Sequence, residues 1–440
     1  MFNVYYKYSA CIKICTDDIS IICDPWFGND AYYGTWTQFP DIEDPISLIG
    51  KNDYIYISHI HPDHYCNQTI KALLKTYENQ KILIADWGEK PNHLARKIKS
   101  DGLGDKLKIT NRIEINSTVI NIIPNDTQSN SDIDSAIIVS SKKSNKAILN
   151  INDCIYNRNH FSKIKEIQKK EKLDFKLFCL GYTGAGPYPQ TYYSPKIESE
   201  ILIKKAQEKK LKFFKRYKKA ITEIDSSYRL PFAGKYMLSK ELSLLNKYRG
   251  VADAIEVKNF DPKAIILDDG GNSFFDLENE RVSNERQKEY IYPDYIDNKI
   301  NFYWREFVQE NPNKLILKRL CISSIKRAHL KSECNENCFW SIYIFENSNY
   351  LDELWEHKNP ELVYEPLLTF NCNKNKNPLY INIKPKIHSH LFIESKALFC
   401  VLTGITHWNN YEVGSVFQVR RIPDIHNADM QHYLNFLSVI

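Results

Sequence analysis

Three histidines and one aspartate fall within six residues of this chain. His59, His61, Asp63 and His64 form an H-x-H-x-D-H run. Imidazole nitrogens suit zinc, iron or copper, and a carboxylate adds an oxygen ligand that zinc and iron also accept. Because four potential ligands lie so close together, the run predicts a metal site rather than a set of solvated loop side chains.

The run follows a short apolar segment that is typical of a buried strand. Residues Tyr54 to Ile57 alternate aromatic and β-branched side chains. In α/β proteins, ligands bind beyond the carboxyl ends of the strands. We therefore expect a strand that delivers the histidines to a loop at the edge of a sheet.

Two more aspartates come directly after predicted strands. Asp24 follows the run Ile19 to Cys23, where it could hydrogen-bond a metal-ligating histidine or only cap a turn. Asp153 follows the run Lys146 to Ile151, where it could bridge two metals or complete the ligands of one. The loop between residues 29 and 51, which contains Tyr32, Tyr33 and Trp36, is expected to border the site.

Length and composition argue against several classes of protein. The 440 residues suffice for two or three domains, and a formal net charge of +5 gives no argument for nucleic-acid binding. No apolar run reaches the roughly 18 residues of a membrane span, and the start of the chain lacks the layout of a signal peptide. The 11 cysteines are irregularly spaced, which favours a reduced compartment. We expect a cytoplasmic protein.

Predicted strands and helices alternate after the histidine run, which indicates a layered α/β fold. Helices are expected at residues 67–77 and 91–99, and strands at residues 81–85, 119–123, 135–140, 146–151 and 263–267. A charged, tyrosine-rich stretch after residue 284 marks a junction. We expect a catalytic domain at 1–288 and a smaller α+β domain at 289–440, with a strand at 378–383 and a helix at 391–403. The smaller domain could be a cap, a substrate-binding unit or a dimerisation surface.

The H-x-H-x-D-H run and Asp153 resemble the metal signature of the metallo-β-lactamase fold superfamily. Four shorter motifs, D-P-W at 24–26, N-D-C at 152–154, G-A-G-P-Y-P at 184–189 and L-P-F-A-G at 230–234, are similar to one branch of it. That branch is the metallo-β-lactamase-like half of the CMP-N-acetylneuraminate hydroxylases, with ascorbate-6-phosphate lactonases and N-acylphosphatidylethanolamine phospholipases D as more distant relatives. The resemblance covers about residues 2–285 and implies an αββα sandwich that binds one or two divalent ions, zinc or iron.

The resemblance also implies roles for individual residues. Metal ligands are expected at His59, His61, Asp63, His64 and Asp153. The short motifs are expected to support those ligands or to contact substrate, through Asp24, Trp26, Tyr182, Pro187, Tyr188, Phe232 and Gly234.

The sequence departs from the family pattern in two places. The hydroxylases carry a Rieske iron-sulfur domain with C-x-H and C-x-x-H ligands, and no cysteine of this sequence is followed by histidine at either spacing. The superfamily usually supplies further histidines after the central strands, whereas the matching regions here read S-D-I-D-S at 131–135 and Y-T-G-A-G at 182–186. Asp134 could replace one histidine as an oxygen ligand, and the last has no evident substitute.

The ligand set favours a hydrolase. A metal on His59 and His61 can lower the pKa of bound water from ~15.7 toward ~7, and Asp63 could orient that water or take the leaving-group proton. We expect hydrolysis of a small phosphorylated, lactone or nucleotide-linked metabolite. One alternative is an iron-dependent oxygenase that hydroxylates an activated amino sugar with electrons from a separate protein. Another is a non-catalytic binding protein with a degenerate metal site.

Two other features allow a functional and a structural interpretation. The lysine-rich helix expected at 199–224 could form a surface for phosphate or nucleic acid, but a solvated amphipathic helix with its apolar stripe on the core is favoured. Cys334 and Cys338 suggest a structural zinc site, but they lack a matching second pair, and scattered core thiols are favoured.

Overall fold

The structure is a computed structural model that describes residues 1–129, 131–154 and 156–439. Its first strands are β1 (Asn3–Tyr8), β2 (Cys11–Cys15), β3 (Ser20–Cys23), β4 (Trp36–Thr37), β5 (Tyr54–Tyr56), β6 (Lys81–Ile84) and β7 (Leu107–Ile109). The next are β8 (Arg112–Ile115), β9 (Thr118–Pro124), β10 (Ser135–Ser141), β11 (Lys146–Asn150), β12 (Asp174–Gly181), β13 (Tyr228–Phe232) and β14 (Met237–Leu238). The last are β15 (Phe274–Asp276), β16 (Arg281–Ser283), β17 (Cys338–Phe345), β18 (Leu368–Asn371), β19 (Ile387–Glu394) and β20 (Gln418–Ile422).

The helices lie between these strands. They are α1 (Pro45–Ile49), α2 (Asn67–Thr76), α3 (His93–Ser100), α4 (Arg158–Glu171), α5 (Ser199–Glu223) and α6 (Tyr303–Phe307), then α7 (Lys314–His329), α8 (Tyr350–Leu354), α9 (Ser395–Leu402), α10 (Trp408–Gly414) and α11 (Ala428–Tyr433). Short 3₁₀ segments occur at Ala31–Gly34, Gly104–Lys106, Lys240–Tyr248, Ala254–Asn259, Pro360–Leu362 and Leu434–Phe436.

Two large sheets form the first two thirds of the chain. The first has the order β16-β15-β1-β2-β3-β5-β6-β7, and the second has the order β13-β12-β11-β10-β9-β8. Strands β3, β5, β6 and β7 run parallel, as do β11, β12 and β13, while the remaining pairs are antiparallel. The parallel strands place their carboxyl ends together, and the candidate site forms there.

The inward faces of the two sheets pack against each other. Alternate apolar residues of both sheets share one core, among them Val4, Ile14 and Ile21 from the first and Ile122, Ile137 and Leu177 from the second. Separate apolar clusters join α2 and α3 to the outer face of the first sheet, and α4 and α5 to the outer face of the second. Burying each such side chain stabilises the fold by about 1.5–3 kcal/mol. The predicted α/β class and αββα sandwich are confirmed.

The C-terminal part is built on a smaller mixed sheet with the order β18-β17-β19-β20. Its core continues into the N-terminal part, because Trp26, Tyr32 and Trp36 belong to the same apolar cluster as Trp340 and Leu398. Cys321, Cys334, Cys338 and Cys372 are buried in that cluster as free thiols. Among the described residues, cysteines form no group of three potential metal ligands.

Three predicted elements of the chain differ from the structure. Residues 263–267 form isolated bridges to neighbouring segments rather than a strand, and residues 378–383 form turns and bends. The helix expected at 391–403 is the end of β19 followed by α9, because residues 391–393 and 397–402 are all apolar and periodicity cannot distinguish a buried strand from a buried helix. Within the described residues, no helix combines the length and the apolarity needed to cross a bilayer.

Candidate metal centre

Three strand ends bring the candidate ligands together. Asp24 follows β3, His59 comes three residues after β5, and Asp153 comes three residues after β11. Asp134 directly precedes β10, the neighbour of β11 in the second sheet. The four side chains therefore meet where the two sheets of the sandwich present their loops.

A tight turn folds the histidine run onto itself. The backbone amides of His64 and Tyr65 both donate to the carbonyl of His61, at 3.0 and 2.8 Å. The turn brings His59 Nε2 to 2.9 Å from His61 Nδ1. Two ligands on one tetrahedral zinc stand about 3.3 Å apart when each metal–nitrogen distance is about 2.0–2.1 Å. The two imidazoles thus present a pair of nitrogens at close to the separation that a shared ion requires.

A second group of donor atoms lies around His64. Its Nε2 is 3.5 Å from Asp63 Oδ2 and 3.4 Å from Asp153 Oδ1. Potential ligand atoms of His59, His64 and Asp153 all lie within 4.8 Å of one another. Asp134 Oδ1 is 4.0 Å from His59 Nδ1. The site therefore gathers nitrogen and oxygen donors into one cluster.

Asp24 and Ser58 hold the two buried histidines in place. Asp24 is fully buried and accepts hydrogen bonds from the Ser58 amide and hydroxyl, each at 2.8 Å. Its Oδ2 also lies 3.1 Å from His64 Nδ1, and Ser58 Oγ lies 3.0 Å from His59 Nδ1. These contacts fix the ring nitrogens that face away from the cluster, which is the usual way a protein orients metal-ligating imidazoles.

The electrostatics of the cluster follow from burial and from its carboxylates. Burial lowers the pKa of His59 and of His61 to about 4, so both imidazoles are neutral at pH 7, the form that binds metals. Burial opposes the charge of His64, but Asp153, Asp63 and Asp24 outweigh it and raise the pKa above its usual range. Burial and the nearby Asp153 raise the pKa of Asp134 to about 6. Burial alone would raise the pKa of Asp153, but His64 holds it below its usual range.

The backbone around the cluster is strained. Asp24, Tyr32, Asn152 and Ala233 have φ values of 43°, 49°, 52° and 58°. A non-glycine residue in this left-handed region carries a cost of about 1–3 kcal/mol when its surroundings force it there. Such residues concentrate at functional sites, and here each of them lies in one of the loops at the same end of the sandwich.

The aromatic loop borders the site through Tyr32. The Tyr32 hydroxyl donates to Asp63 Oδ1 at 2.6 Å, and its ring packs 4.3 Å from Trp36. Trp36 in turn stacks on Tyr236 with ring centres 3.5 Å apart. Asp63 thereby has one oxygen held by tyrosine and the other directed at His64.

A cavity of ≈ 510 Å³ opens in front of the cluster. It is lined by His59, His61, Asp63, Asp134 and Asp153 on one side, and by Tyr156, Phe161, Phe213, Arg216, Tyr217 and Lys219 on another. A volume of this size suits a small molecule. The contribution of α5 was not assigned from sequence, although its charge run was the signal that could have indicated it.

Of the other residues in the short motifs, Cys154, Gly184, Ala185 and Gly186 also line this cavity, whereas the remaining ones lie outside it. Trp26 and Phe232 are buried in apolar cores, and Tyr188 packs against Tyr192 and Tyr193. The carbonyl of Pro187 accepts a hydrogen bond from the Thr191 amide, which closes a turn. Tyr182 and Gly234 line a different cavity. The histidine run, Asp134 and Asp153 are thus brought together, and the glycine-rich segment at 184–186 borders the same cavity.

Comparisons with known proteins find a family model that is similar to the N-terminal part of the chain. Residues 3–135 match the family model described as Beta-lactamase superfamily domain. A protein of Mycobacterium tuberculosis described as a Rieske 2Fe-2S iron-sulfur protein is 43% identical over 54 residues, which is 12% of this chain and 10% of that protein. The cytidine monophosphate-N-acetylneuraminic acid hydroxylase of Asterias rubens is 32% identical over 85 residues, 19% of this chain and 13% of the hydroxylase.

These matches span only a small fraction of the relatives' own length. Among solved structures, Igni18, a metallo hydrolase from the archaeon Ignicoccus hospitalis, aligns with a TM-score of 0.38 and 14% identity over 62% of this chain and 98% of that one. A similarity this low adds no argument to the fold described above. Residues 3–135, which include the histidine run, are therefore similar to a beta-lactamase superfamily domain, and the αββα sandwich extends beyond the matched residues.

Proposed function

We propose that this protein is a metal-dependent hydrolase of a small anionic metabolite, of the phosphorylated, lactone or nucleotide-linked kind. The observation that carries the proposal is the pair of donor groups facing one cavity. His59 Nε2 and His61 Nδ1 form one group, and His64 Nε2 with Asp63 and Asp153 forms the other. The similarity of residues 3–135 to a beta-lactamase superfamily domain supports the same conclusion.

The donor set fits one or two divalent ions, zinc or iron. The residues that would hold the ions are His59, His61, Asp63, His64, Asp134 and Asp153, and all of them except His64 line the cavity. A divalent ion bound here would lower the pKa of coordinated water from ~15.7 toward ~7 and so supply hydroxide at neutral pH. The mixed nitrogen and oxygen ligands are acceptable to both zinc and iron.

Asp63 is the carboxylate we assign to proton handling. Tyr32 donates to its Oδ1 and thereby fixes the plane of the carboxyl group. The other oxygen faces the cavity side of His64, where it can orient a water molecule or accept the proton that the nucleophile loses. Tyr32 is a positioning residue in this scheme, because it reaches the reacting atoms only through Asp63.

The far wall of the cavity supports an anionic substrate. Arg216 and Lys219 project from α5 at the rim, and neither forms an ion pair within the described part of the chain. Phe161, Phe213 and Tyr217 give the same wall an apolar character. A ligand with a charged group and an apolar or ring portion matches this arrangement, since the cations would hold the charge and the aromatic side chains the remainder.

Metal analysis of the intact protein tests the proposal. We expect about one or two zinc ions per chain after purification without chelator, fewer ions in His61→Ala and Asp153→Asn, and no change in the exposed control His432→Ala. Zinc-loaded protein should then hydrolyse a member of a panel of phosphodiesters, lactones and nucleotide sugars, and Asp63→Asn should lose that activity while keeping its fold. Protein that holds no metal above background would overturn the enzymatic proposal and leave a non-catalytic binding protein.

A second candidate is supported by the short matches to hydroxylase and Rieske proteins. In that case the ions are iron, the substrate is an activated amino sugar and a separate electron-transfer protein supplies the electrons. Bound iron together with oxygen consumption that requires a reductant would favour the oxygenase. Full hydrolytic turnover by zinc protein in the absence of oxygen would rule it out.

A further inference from the structure

A second cavity, of ≈ 660 Å³, lies on the other side of the loop that follows β12. The first half of α5 forms one wall, and the segments around Gly234, Lys247 and Tyr292 form the others. A side chain at Gly234 would come within 2.2 Å of Thr183 Cγ2, so the two loops touch there. Thr183 lines the metal cavity and Gly234 lines the second one, and this contact is therefore a shared partition.

Three of the six charged side chains that line the second cavity form ion pairs. Lys210 binds Glu256 at 2.7 Å, and Lys235 forms an ion pair with the buried Asp269. Asp253 in the wall is paired with Arg286 at 2.6 Å. Each of these ion pairs is neutral overall, so none of them provides a free charge for a ligand.

Among the other three, Lys247 and Asp294 are exposed and Arg249 is buried. Its residue surface is only 4% exposed, and it lines the cavity. Its guanidinium donates to the carbonyls of Tyr236 at 2.8 Å and Asn246 at 3.2 Å, makes a weak contact to a methionine sulfur, and lies 4.2 Å above the ring of Tyr236. Across the described residues, no carboxylate forms an ion pair with it. Since a guanidinium has five N–H donors, part of its hydrogen-bonding capacity stays unused.

Of the two lysines near Arg249, Lys247 adds positive charge to the second cavity and Lys209 lies outside its lining. Lys247 lines the same cavity and makes no ion pair with any described residue. Lys209, on α5, donates only to the carbonyl of Gly186, at 3.4 Å. Burial and the nearby Arg249 lower the pKa of Lys209 to about 7, so this amine carries only part of a positive charge at pH 7.

An uncompensated buried cation is costly, so proteins pair it, neutralise it or reserve it for a ligand. The guanidinium is always charged, which removes the second option for Arg249. If Arg249 served only to bind two backbone carbonyls, a neutral hydrogen-bond donor would be sufficient. Bidentate recognition of an oxyanion is the task for which arginine is best suited.

We propose that the second cavity binds a phosphate-bearing small molecule independently of the metal centre. Arg249 and Lys247 contact the phosphate, and Tyr292 and Tyr182 pack against the remainder of the ligand. Asp294, at the exposed mouth, disfavours a second anionic group at that end. This site lies beyond the proposed hydrolytic function, because none of these residues contacts the histidine cluster.

Calorimetric titration of the full chain with phenyl phosphate and with inorganic phosphate, at constant ionic strength, tests the site. We expect both to bind wild-type protein, with phenyl phosphate the tighter of the two because its ring contacts the tyrosines. Arg249→Gln should weaken both about ten- to a hundredfold, as expected for loss of a charged hydrogen bond. Lys247→Gln, at an exposed position that does not threaten folding, should weaken both less.

Two controls separate this site from others. Lys212→Gln removes an exposed lysine from the same helix outside both cavities, and it should leave binding unchanged. His61→Ala disrupts the metal centre and any phosphate binding there, but it should retain the binding that Arg249→Gln weakens, so a failure of the proposed hydrolytic function would not affect this result. No binding at millimolar ligand, equal binding by wild type and both cavity variants, or binding lost only in His61→Ala would overturn the proposal.

Discussion

At the scale of residues, the metal centre depends on side chains that do not face the cluster. Asp24 and Ser58 contact the outer nitrogens of His64 and His59, and both are buried. The metal ligands in the histidine run could be predicted from the sequence alone, because four donor residues lie within six positions. The position of Asp24 after a strand allowed a role in the turn or at a histidine, and only the folded geometry connects it to His64.

Replacing Asp24 tests this support directly. Asp24→Asn removes the charge and one of the two acceptor oxygens, so the His64 ring loses the partner that fixes its orientation. Zinc affinity should fall about ten- to a hundredfold, the usual effect of losing such a partner. Competition with a fluorescent chelator measures the affinity, and the exposed Asp105→Asn is the control. Equal affinities for Asp24→Asn and wild type would limit Asp24 to closing the turn.

His160, on α4, makes stability depend on pH. Its residue surface is 1% exposed, and burial lowers the pKa of the imidazole to about 4, against 6.5 in an unfolded chain. Between pH 6.5 and 4 the unfolded chain takes up a proton that the folded chain refuses, so stability falls as the pH is lowered. The shift corresponds to a loss of about 3 kcal/mol.

Urea unfolding at pH 6.5 and 4.5 measures this loss. The difference in unfolding free energy between the two pH values should be smaller in His160→Gln than in wild type. His432→Gln removes an exposed histidine and should retain the wild-type difference. An unchanged difference in His160→Gln would mean that other groups set the acid sensitivity.

At the scale of elements, sequence periodicity predicts which face of a helix is apolar, but it does not predict whether that face packs on the core or lines a cavity. Residues 203, 206, 207 and 210 of α5 line the second cavity, and residues 213, 216, 217 and 220 line the metal cavity. This spacing predicts one helix face, and part of that face packs on the core as expected. Whether a face meets core or cavity depends on neighbouring loops, which periodicity cannot describe. The unpaired charge of Arg249 is likewise a property of three-dimensional packing.

The close approach of α5 to the wall of the second cavity predicts a sharp effect at Gly250. A Cβ there would lie 2.5 Å from the Ala206 carbonyl oxygen, and φ is +68°. Gly102 has a similar φ of +81° with nothing within 4 Å of the same position. Gly102→Ala should therefore cost only about 1 kcal/mol, whereas Gly250→Ala should cost about 1–3 kcal/mol more, because backbone must move. Thermal unfolding of both variants measures the difference, and equal losses would contradict the contact.

At the scale of the whole molecule, we propose a division near residue 288 in which the second unit completes the first. Trp36 Nε1 donates to the carbonyl of Val413 at 3.3 Å, and Val413 itself lines the metal cavity. Asn298 donates to the carbonyls of Asn29, Gly34 and Trp36, which fixes the aromatic loop. The C-terminal unit thus supports the loop that carries Tyr32, and among the roles expected for it this favours a cap.

Because the N-terminal and C-terminal units share one aromatic core, we expect them to unfold in a single transition. Six of the seven tryptophans lie in the cluster that joins the two units, so tryptophan fluorescence reports on the junction while far-UV circular dichroism reports on all elements. The two signals should change together if the units unfold cooperatively. Leu398→Ala, a fully buried change in α9, should shift both transitions by about 2–5 kcal/mol, whereas Leu330→Ala at an exposed position should shift neither. A fluorescence transition that moves alone in Leu398→Ala would mean that the C-terminal unit unfolds independently, and the metal cavity would then survive its loss.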